Sequence, residues 1–141
     1  MGLLSLRDVQ HGYGGRRVLA IRELDLERGS VAAVVGPNGS GKSTLLRLLA
    51  CVEAPAQGTV LLEGQAVRSG ADRRRARQGI TLVEQRPFLF AGTVRENLRY
   101  ALSLHGVPGP GAESRLSAAL ERLGVGGLGD RNAMGLSEGE A

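Results

Sequence analysis

The order of apolar and polar residues predicts a β-rich first part of the chain. Residues 3–10 and 18–26 have the composition and partial alternation of strands, and the glycine-rich HGYGG between them predicts a turn. Residues 30–36 (SVAAVVG) and 79–85 (GITLVEQ) are continuous apolar runs, which favour strands buried on both faces of a parallel sheet. Between these two runs we expect a helix at 42–50 and a hairpin at 58–68.

The pattern becomes helical after the second apolar run. Thr93 and Glu96 have the spacing of a capping box and predict a helix over TVRENLRYALSL. After the loop HGVPGPGAE a further helix is expected, ending near Gly124. Its predicted apolar face contains Leu116, Ala119, Leu120 and Leu123. These patterns divide the chain into a β-rich part at 1–85 and a helical part at 86–141.

A further capping box lies at the end of the sequence. Ser137 and Glu140 have the S-x-x-E spacing in which a serine caps a helix and a glutamate bonds back to it. This spacing predicts that a helix begins at residue 137.

Composition restricts the classes of function. With 141 residues, 42% apolar and 23% charged, the chain has the size and composition of one globular domain. No apolar run approaches the roughly 20 residues of a membrane-spanning helix, and the single cysteine cannot form an internal disulfide. The net charge of +4 permits nucleic-acid binding, but the basic clusters at 15–17 and 72–77 contain no interleaved aromatic residues. We therefore expect no nucleic-acid partner.

The use of basic residues singles out one position. Of the 18 basic residues, 17 are arginine, and Lys42 is the only lysine. Lysine is a compact charge on a flexible stem, whereas arginine is a planar fork, so a site that needs the first shape cannot accept the second. Lys42 is accordingly the first candidate for a specific function.

Lys42 lies in a phosphate-loop motif. Residues 36–43, GPNGSGKS, match G-x-x-x-x-G-K-[ST] at every fixed position, between a predicted strand and a predicted helix. The glycines allow backbone N–H groups to face a phosphate, and the helix N-terminus adds its positive dipole end. In this motif Lys42 would reach the β- and γ-phosphates and the Ser43 hydroxyl would bind Mg²⁺. The alternative is a glycine-rich turn in a chain with 22 glycines.

Four segments in this order resemble motifs of the ATP-binding subunit of ABC transporters. GYGGRRVL resembles the A-loop, GPNGSGKST the Walker A loop, LVEQRPFLFAGTVRENL the Q-loop with the segment after it, and LSEGE the signature motif. The resemblance implies an α/β P-loop NTPase fold of the ABC type. This fold would be incomplete here, with an N-terminal β subdomain, part of the parallel sheet core and a helical subdomain.

The resemblance also implies roles for individual residues in binding ATP and Mg²⁺. Tyr13 would stack on adenine; the alternative is a core or turn tyrosine. Lys42 and Gln85 would be the catalytic groups, and Ser43 and Gln85 the ligands of Mg²⁺; the alternative for Gln85 is a surface residue. The full set implied to bind nucleotide is Tyr13, Val18, Gly36, Pro37, Asn38, Gly39, Ser40, Gly41, Lys42, Ser43 and Thr44.

Two further segments would face partner proteins. Ser137, Gly139 and Glu140 of the signature would complete the ATP site of a second nucleotide-binding subunit, and Glu138 departs from the glycine usual at that position. The apolar PFLF at 87–90 is read either as core or as a docking surface for a transmembrane subunit.

The function implied by the resemblance is ATP hydrolysis coupled to solute transport through transmembrane subunits, on the cytoplasmic side of the membrane. The segment LFAGTVRENLRYAL looks most like importers of small solutes such as oxyanions or amino acids. In the family the Walker B carboxylates and a switch histidine follow the signature. We therefore expect the chain to be the N-terminal part of a longer subunit and inactive in hydrolysis alone. The alternatives are a non-transport ABC-type ATPase of DNA repair or translation, and a non-hydrolysing nucleotide-binding protein.

Overall fold

The computed structural model describes residues 2–85, 87–107, 109–137 and 139–140. The chain divides into two compact units, Met1–Leu82 and Val83–Ala141.

The first unit is built on an antiparallel sheet of four strands. Strand β1 (Leu4–Tyr13) pairs with β2 (Arg16–Leu26) on one side and with β3 (Gln57–Leu62) on the other. Strand β4 (Gln65–Val67) pairs with β3 and completes the order β2-β1-β3-β4. The two predicted N-terminal strands and the predicted hairpin are therefore confirmed.

Two helices accompany this sheet. Helix α1 (Lys42–Leu49) has nearly the predicted limits, and its buried side chains meet those of β1 and β3 in one core. That core contains Leu6, Val9, Leu48, Leu49, Cys51, Val60 and Ala76. The sequence pattern did not predict helix α2 (Gly70–Ala76), although Ser69 and Asp72 form a complete capping box at its start. The signal was present with aspartate where the usual pattern has glutamate.

Gly58 of β3 lies directly against the backbone of β1. A side-chain Cβ at this position would lie 2.4 Å from the carbonyl oxygen of Asp8 and 2.6 Å from that of Arg7. Gly58 also has φ +84°, in the left-handed region that favours glycine. The pairing of β1 with β3 shifts register between Arg7 and Gln10, and Asp8 itself has φ +50°. Only glycine fits opposite this irregularity.

The second unit contains a pair of helices. Helix α3 (Val94–Leu104) begins with the predicted capping box of Thr93 and Glu96, which is therefore confirmed. Helix α4 (Pro110–Arg122) ends as predicted, because Gly124 donates to the carbonyl of Glu121 and Val125 to that of Leu120. These two bonds are those of the Schellman motif.

The predicted apolar face of α4 is partly wrong. Its buried residues are Ala112, Leu116 and Leu120, spaced four residues apart, whereas Ala119 is exposed and Leu123 is 76% exposed. Helix α4 contacts α3, and its buried residues form a single stripe that is narrower than the wide apolar face assumed from the sequence. Leu123 lies at the C-cap, beyond the last helical residue.

The two predicted buried parallel strands do not form. Residues 31–36 and 80–85 have no regular secondary structure, and Val31 is 99%, Val35 87% and Val83 87% exposed. A strand buried in a parallel sheet needs hydrogen-bonded neighbours, and within the described ranges every strand ladder belongs to the antiparallel sheet. Both runs are apolar, as a buried strand requires, but an apolar composition alone does not provide a neighbouring strand to pair with.

Across the described part of the chain, no helix is both long and apolar enough to cross a membrane.

Candidate nucleotide-binding site

The loop before α1 is folded around the side chain of Lys42. The Lys42 ammonium donates to the carbonyl oxygens of Gly36 and Pro37, each at 2.9 Å, so the side chain lies back along its own loop. Within the loop, the N–H of Ser40 donates to the carbonyl of Pro37 at 3.3 Å, which closes a turn. Asn38 and Gly39 at the tip of the loop are exposed. A cation is thus held beside a tight, exposed turn.

The N-terminus of α1 opens directly from this loop. Gly41 is the N-cap and offers no side chain to the first helical N–H groups, and the first turn contains no acidic residue. Unsatisfied N–H groups and the positive end of the helix dipole attract anions. Ser43 in this turn is exposed, whereas Thr44 is 8% exposed. The end of the helix can therefore accept a phosphate while Thr44 fixes it to the rest of the unit.

The wall behind Gly41 is formed by β2. A Cβ at Gly41 would lie 2.8 Å from Leu19 Cδ2 and 3.1 Å from Val18 Cγ1, and Gly41 has φ +92°. The predicted residue Val18 therefore packs directly against the N-terminus of α1. Leu19 makes the closer approach and was not singled out from the sequence.

Tyr13 lies at the end of β1, in the same unit as the loop. It pairs with Arg16 across the turn, and it is 49% exposed. The Tyr13 hydroxyl donates to Glu53 Oε2 at 2.6 Å, and the same carboxylate oxygen lies 3.1 Å from His11 Nε2. The ring is half exposed, so the core alternative is wrong; Tyr13 does lie beside the turn, and its stacking on adenine stays a prediction.

Gln85 lies in the second unit, at an exposed bend. The interpretation that it closes a buried strand is wrong, because residues 80–85 form no strand. Its proposed contact with Mg²⁺ remains a prediction.

The signature residues lie at the other end of the second unit. Glu140 Oε2 accepts hydrogen bonds from the Ser137 backbone N–H at 3.0 Å and from the Ser137 hydroxyl at 2.8 Å. Arg131 Nη1 donates to Glu140 Oε1 at 2.9 Å. The pKa of the Glu140 carboxyl lies below its ordinary value because of the two bonds from Ser137 and the charge of Arg131.

The helix start at residue 137 stays a prediction, because only Ser137, Gly139 and Glu140 of its first turn are described. Gly139 and Glu140 form a turn, and the Ser137 hydroxyl donates to the glutamate rather than accepting from a helical N–H. Only the half of the capping box that involves the Glu140 carboxylate is present. Glu138 lies outside the described residues.

Two residues beside Tyr13 in the first unit, Glu53 and His11, are not predicted by the sequence. Neither residue belongs to a motif. Glu53 lies 40 residues after Tyr13, to which it is hydrogen-bonded, and 42 residues after His11, its second partner. The scarcity of aromatic residues pointed to Tyr13, but no local pattern pointed to its partner.

The sequence matches the family model described as "ABC transporter" over residues 19–141. It is 40% identical to the phosphate import ATP-binding protein PstB 2 of Natronomonas pharaonis, over 98% of this chain and 52% of that protein. It is 37% identical to the sulfate/thiosulfate import ATP-binding protein CysA of Thermosynechococcus vestitus, over 97% of this chain and 40% of that protein. The chain thus spans about half the length, or less, of these relatives.

The fold is likewise similar to solved structures. The structure of cbiO1 from Clostridium perfringens, described as part of the ABC transporter complex cbiONQ, matches with a TM-score of 0.81 and 27% identity. The match covers 99% of this chain and 57% of that one. A structure described as the ATP-binding subunit of an ABC transporter matches with a TM-score of 0.80 and 26% identity, over 97% of this chain and 57% of that one.

Proposed function

Because the chain belongs to the ABC transporter family, we propose that it binds ATP and Mg²⁺ and contributes to ATP-driven transport of a solute. The observation that carries the proposal is the Lys42 ammonium, held on the carbonyls of Gly36 and Pro37 beside the open N-terminus of α1. On binding, the ammonium would exchange these neutral carbonyls for the negatively charged oxygens of the β- and γ-phosphates.

The other residues of the loop would complete the nucleotide site. Backbone N–H groups of the loop and of the first turn of α1 would surround the phosphates, and Tyr13 would provide an aromatic face for adenine.

The donor atoms fit Mg²⁺. This ion takes oxygen ligands and is usually held by one or two protein groups together with substrate phosphates. The Ser43 hydroxyl, exposed in the first turn of α1, and the amide oxygen of Gln85 are ligands of that kind. We propose Ser43 as a protein ligand of the ion; the ligand role of Gln85, which lies in the second unit, stays a separate prediction. The ion would neutralise phosphate charge and polarise the γ-phosphoryl group.

The exposed aromatic residues of the second unit support a docking surface for a transmembrane subunit. Phe88 and Phe90 are 81% and 47% exposed and touch edge to face at 5.0 Å, and Phe90 contacts Tyr100 at 4.9 Å. Asn97 fixes this segment, accepting from the Phe90 N–H at 2.7 Å and donating to its carbonyl at 3.0 Å. Their exposure favours the docking interpretation of PFLF over the core interpretation, since clustered exposed aromatic rings are typical of interaction sites.

Membership of the family supports a proposal for the complete assembly. We propose that the protein acts with transmembrane subunits, lies peripherally on the cytoplasmic face of the membrane, and pairs with a second nucleotide-binding subunit through Ser137 and Gly139. The names of the two relatives, which import phosphate and sulfate or thiosulfate, support import of a small solute, with oxyanions as the first candidates.

Calorimetric titration of the purified chain with Mg-ATP tests the site. Replacing Lys42 by alanine is expected to lower ATP affinity about ten- to 150-fold, since a charge-assisted hydrogen bond contributes roughly 1.5–3 kcal/mol. Lys42→Arg should bind nearly as weakly, because a guanidinium cannot occupy the same compact position. The matched control is Arg22→Ala, which removes one positive charge at an exposed position of β2. Equal ATP affinity in Lys42→Ala and Arg22→Ala would overturn the proposal.

A further inference from the structure

The Glu53 carboxylate contacts three side chains of the first unit. Its Oε2 atom accepts from the Tyr13 hydroxyl at 2.6 Å and lies 3.1 Å from His11 Nε2, while Oε1 lies 3.8 Å from Arg47 Nη1. The side chains of Glu53 and His11 are only 25% and 11% exposed. This degree of burial distinguishes the cluster from a mobile surface ion pair.

The backbone fixes Glu53 to the end of α1. After the C-cap, Cys51 adopts φ +56° and donates to the Leu48 carbonyl, and Val52 donates to the Arg47 carbonyl at 2.9 Å, which is the Schellman pattern. The Glu53 N–H also points to the Arg47 carbonyl, at 3.3 Å. Glu53 therefore follows a well-defined helix end and does not belong to a free loop.

The same helix begins at the phosphate loop. Helix α1 has eight residues and starts at Lys42, so its two ends are about 12 Å apart at a rise of 1.5 Å per residue. One end presents N–H groups and the Lys42 ammonium, and the other leads to the carboxylate that holds Tyr13. The phosphate end and the tyrosine are thereby linked through one rigid element.

The Tyr13 ring is restrained at two places. Its hydroxyl is bonded to Glu53, and the His11 ring contacts it edge to face, with centroids 5.1 Å apart and an interplanar angle of 88°. Tyrosine has two side-chain torsions, and anchoring the far end of the ring restricts both. A ring that is already ordered before the ligand arrives loses less conformational entropy on stacking.

We propose that Glu53, supported by His11, is a positioning residue that orders the Tyr13 ring as the platform for the nucleotide base. This inference rests on the proposed function, because it assigns a task within the ATP site. Glu53 and His11 contact the tyrosine rather than the ligand, so they affect only the part of the affinity that comes from the base.

Two ligands separate the base from the phosphates: Mg-ATP and magnesium tripolyphosphate, which has no base. Tyr13→Ala should weaken ATP binding about tenfold, in line with base–aromatic stacking, and leave tripolyphosphate binding unchanged. Glu53→Ala and Tyr13→Phe each remove the hydroxyl–carboxylate bond but keep an aromatic ring. Each is expected to weaken ATP binding about three- to fivefold, the scale of one neutral hydrogen bond, with tripolyphosphate binding unchanged.

The double variant Tyr13→Phe with Glu53→Ala adds a test of coupling. If Glu53 acts through the tyrosine hydroxyl, the double variant should bind ATP about as tightly as either single variant. Glu53→Gln, which keeps an oxygen acceptor, should recover part of the lost affinity. The matched control is Glu63→Ala, which removes an exposed carboxylate bonded to Arg28 in the same unit, and it should bind both ligands like the unaltered chain.

The outcomes distinguish failure of this inference from failure of the proposed function. If Glu53→Ala weakens the binding of ATP and of tripolyphosphate to the same extent, α1 is damaged and the positioning role is overturned. The positioning role is also overturned if Glu53→Ala binds ATP as tightly as Glu63→Ala. Tyr13→Phe guards against misfolding, since it removes one oxygen atom and nothing else. If Lys42→Ala still binds tripolyphosphate like the unaltered chain, the phosphate site itself is wrong and the proposed function fails.

Discussion

Replacing Gly58 by alanine probes a close contact between strands β1 and β3 of the first unit. The added Cβ would lie 2.4 Å from the Asp8 carbonyl oxygen and 2.5 Å from its carbon. Both atoms belong to the backbone, so the conflict cannot be relieved by rotating a side chain. Strand β3 must instead move away from β1.

The expected cost has two parts. An L-residue at φ +84° costs roughly 1–2 kcal/mol. Separating the strands also weakens the pairs that flank the irregularity, Arg7 with Thr59 and Gln10 with Gln57. At about 1 kcal/mol for each lost hydrogen bond, this adds roughly 2 kcal/mol. The free energy of unfolding should therefore fall by about 3–4 kcal/mol.

The matched control is Gly29→Ala. Gly29 has φ +75°, but a Cβ there would meet no atom within 4 Å, so the control carries only the cost of the backbone conformation. Urea unfolding followed by circular dichroism gives both free energies. Equal destabilisation by the two substitutions would refute the steric part of the reasoning.

Two further predictions concern the second unit. Leu116→Ala should lower the free energy of unfolding by about 2–5 kcal/mol, because Leu116 is a fully buried residue of α4, 2% exposed. Leu123 is 76% exposed, so Leu123→Ala should change the free energy of unfolding by less than about 0.5 kcal/mol. A larger loss in Leu123→Ala than in Leu116→Ala would support the apolar face of α4 that the sequence predicts. The bonds from Thr93 lower the pKa of Glu96 below its ordinary 4.5, so this carboxyl stabilises the fold above that value and loses the contribution as pH falls through the folded pKa. Glu96→Gln should therefore show a smaller loss of stability than the unaltered chain between about pH 5.5 and pH 3 in urea unfolding, and an identical loss would contradict this origin.

Local patterns carried most of what could be predicted. The phosphate loop was recognised because its glycines and Lys42 are fixed by spacing within a few residues, and the Lys42 side chain does fold back on that loop. The capping box at Thr93 and the helix stop at Gly124 are likewise set by neighbouring residues, and both were found.

The failures have a common physical origin. The apolar runs at 30–36 and 79–85 predict buried strands, but burial and pairing depend on other segments of a sheet, which a local pattern does not reveal. Glu53 and His11 meet Tyr13 only because α1 packs on β1, and nothing in the intervening forty or so residues encodes the contact. Leu123 was assigned to a core face because helical periodicity does not report how wide the opposing surface is.

The uncovered segment at 31–35 has a consequence for the behaviour of the chain in solution. It reads VAAVV, and no charged residue occurs between Arg28 and Lys42. Short windows of high β-propensity without charge are the ones from which intermolecular β-pairing starts, and charged or proline residues beside them act as gatekeepers. Here Pro37, on the C-terminal side of the segment, is the one nearby residue of this kind. Aggregation of the purified chain is therefore expected to begin immediately before the phosphate loop, so that self-association and nucleotide binding would compete for adjoining backbone.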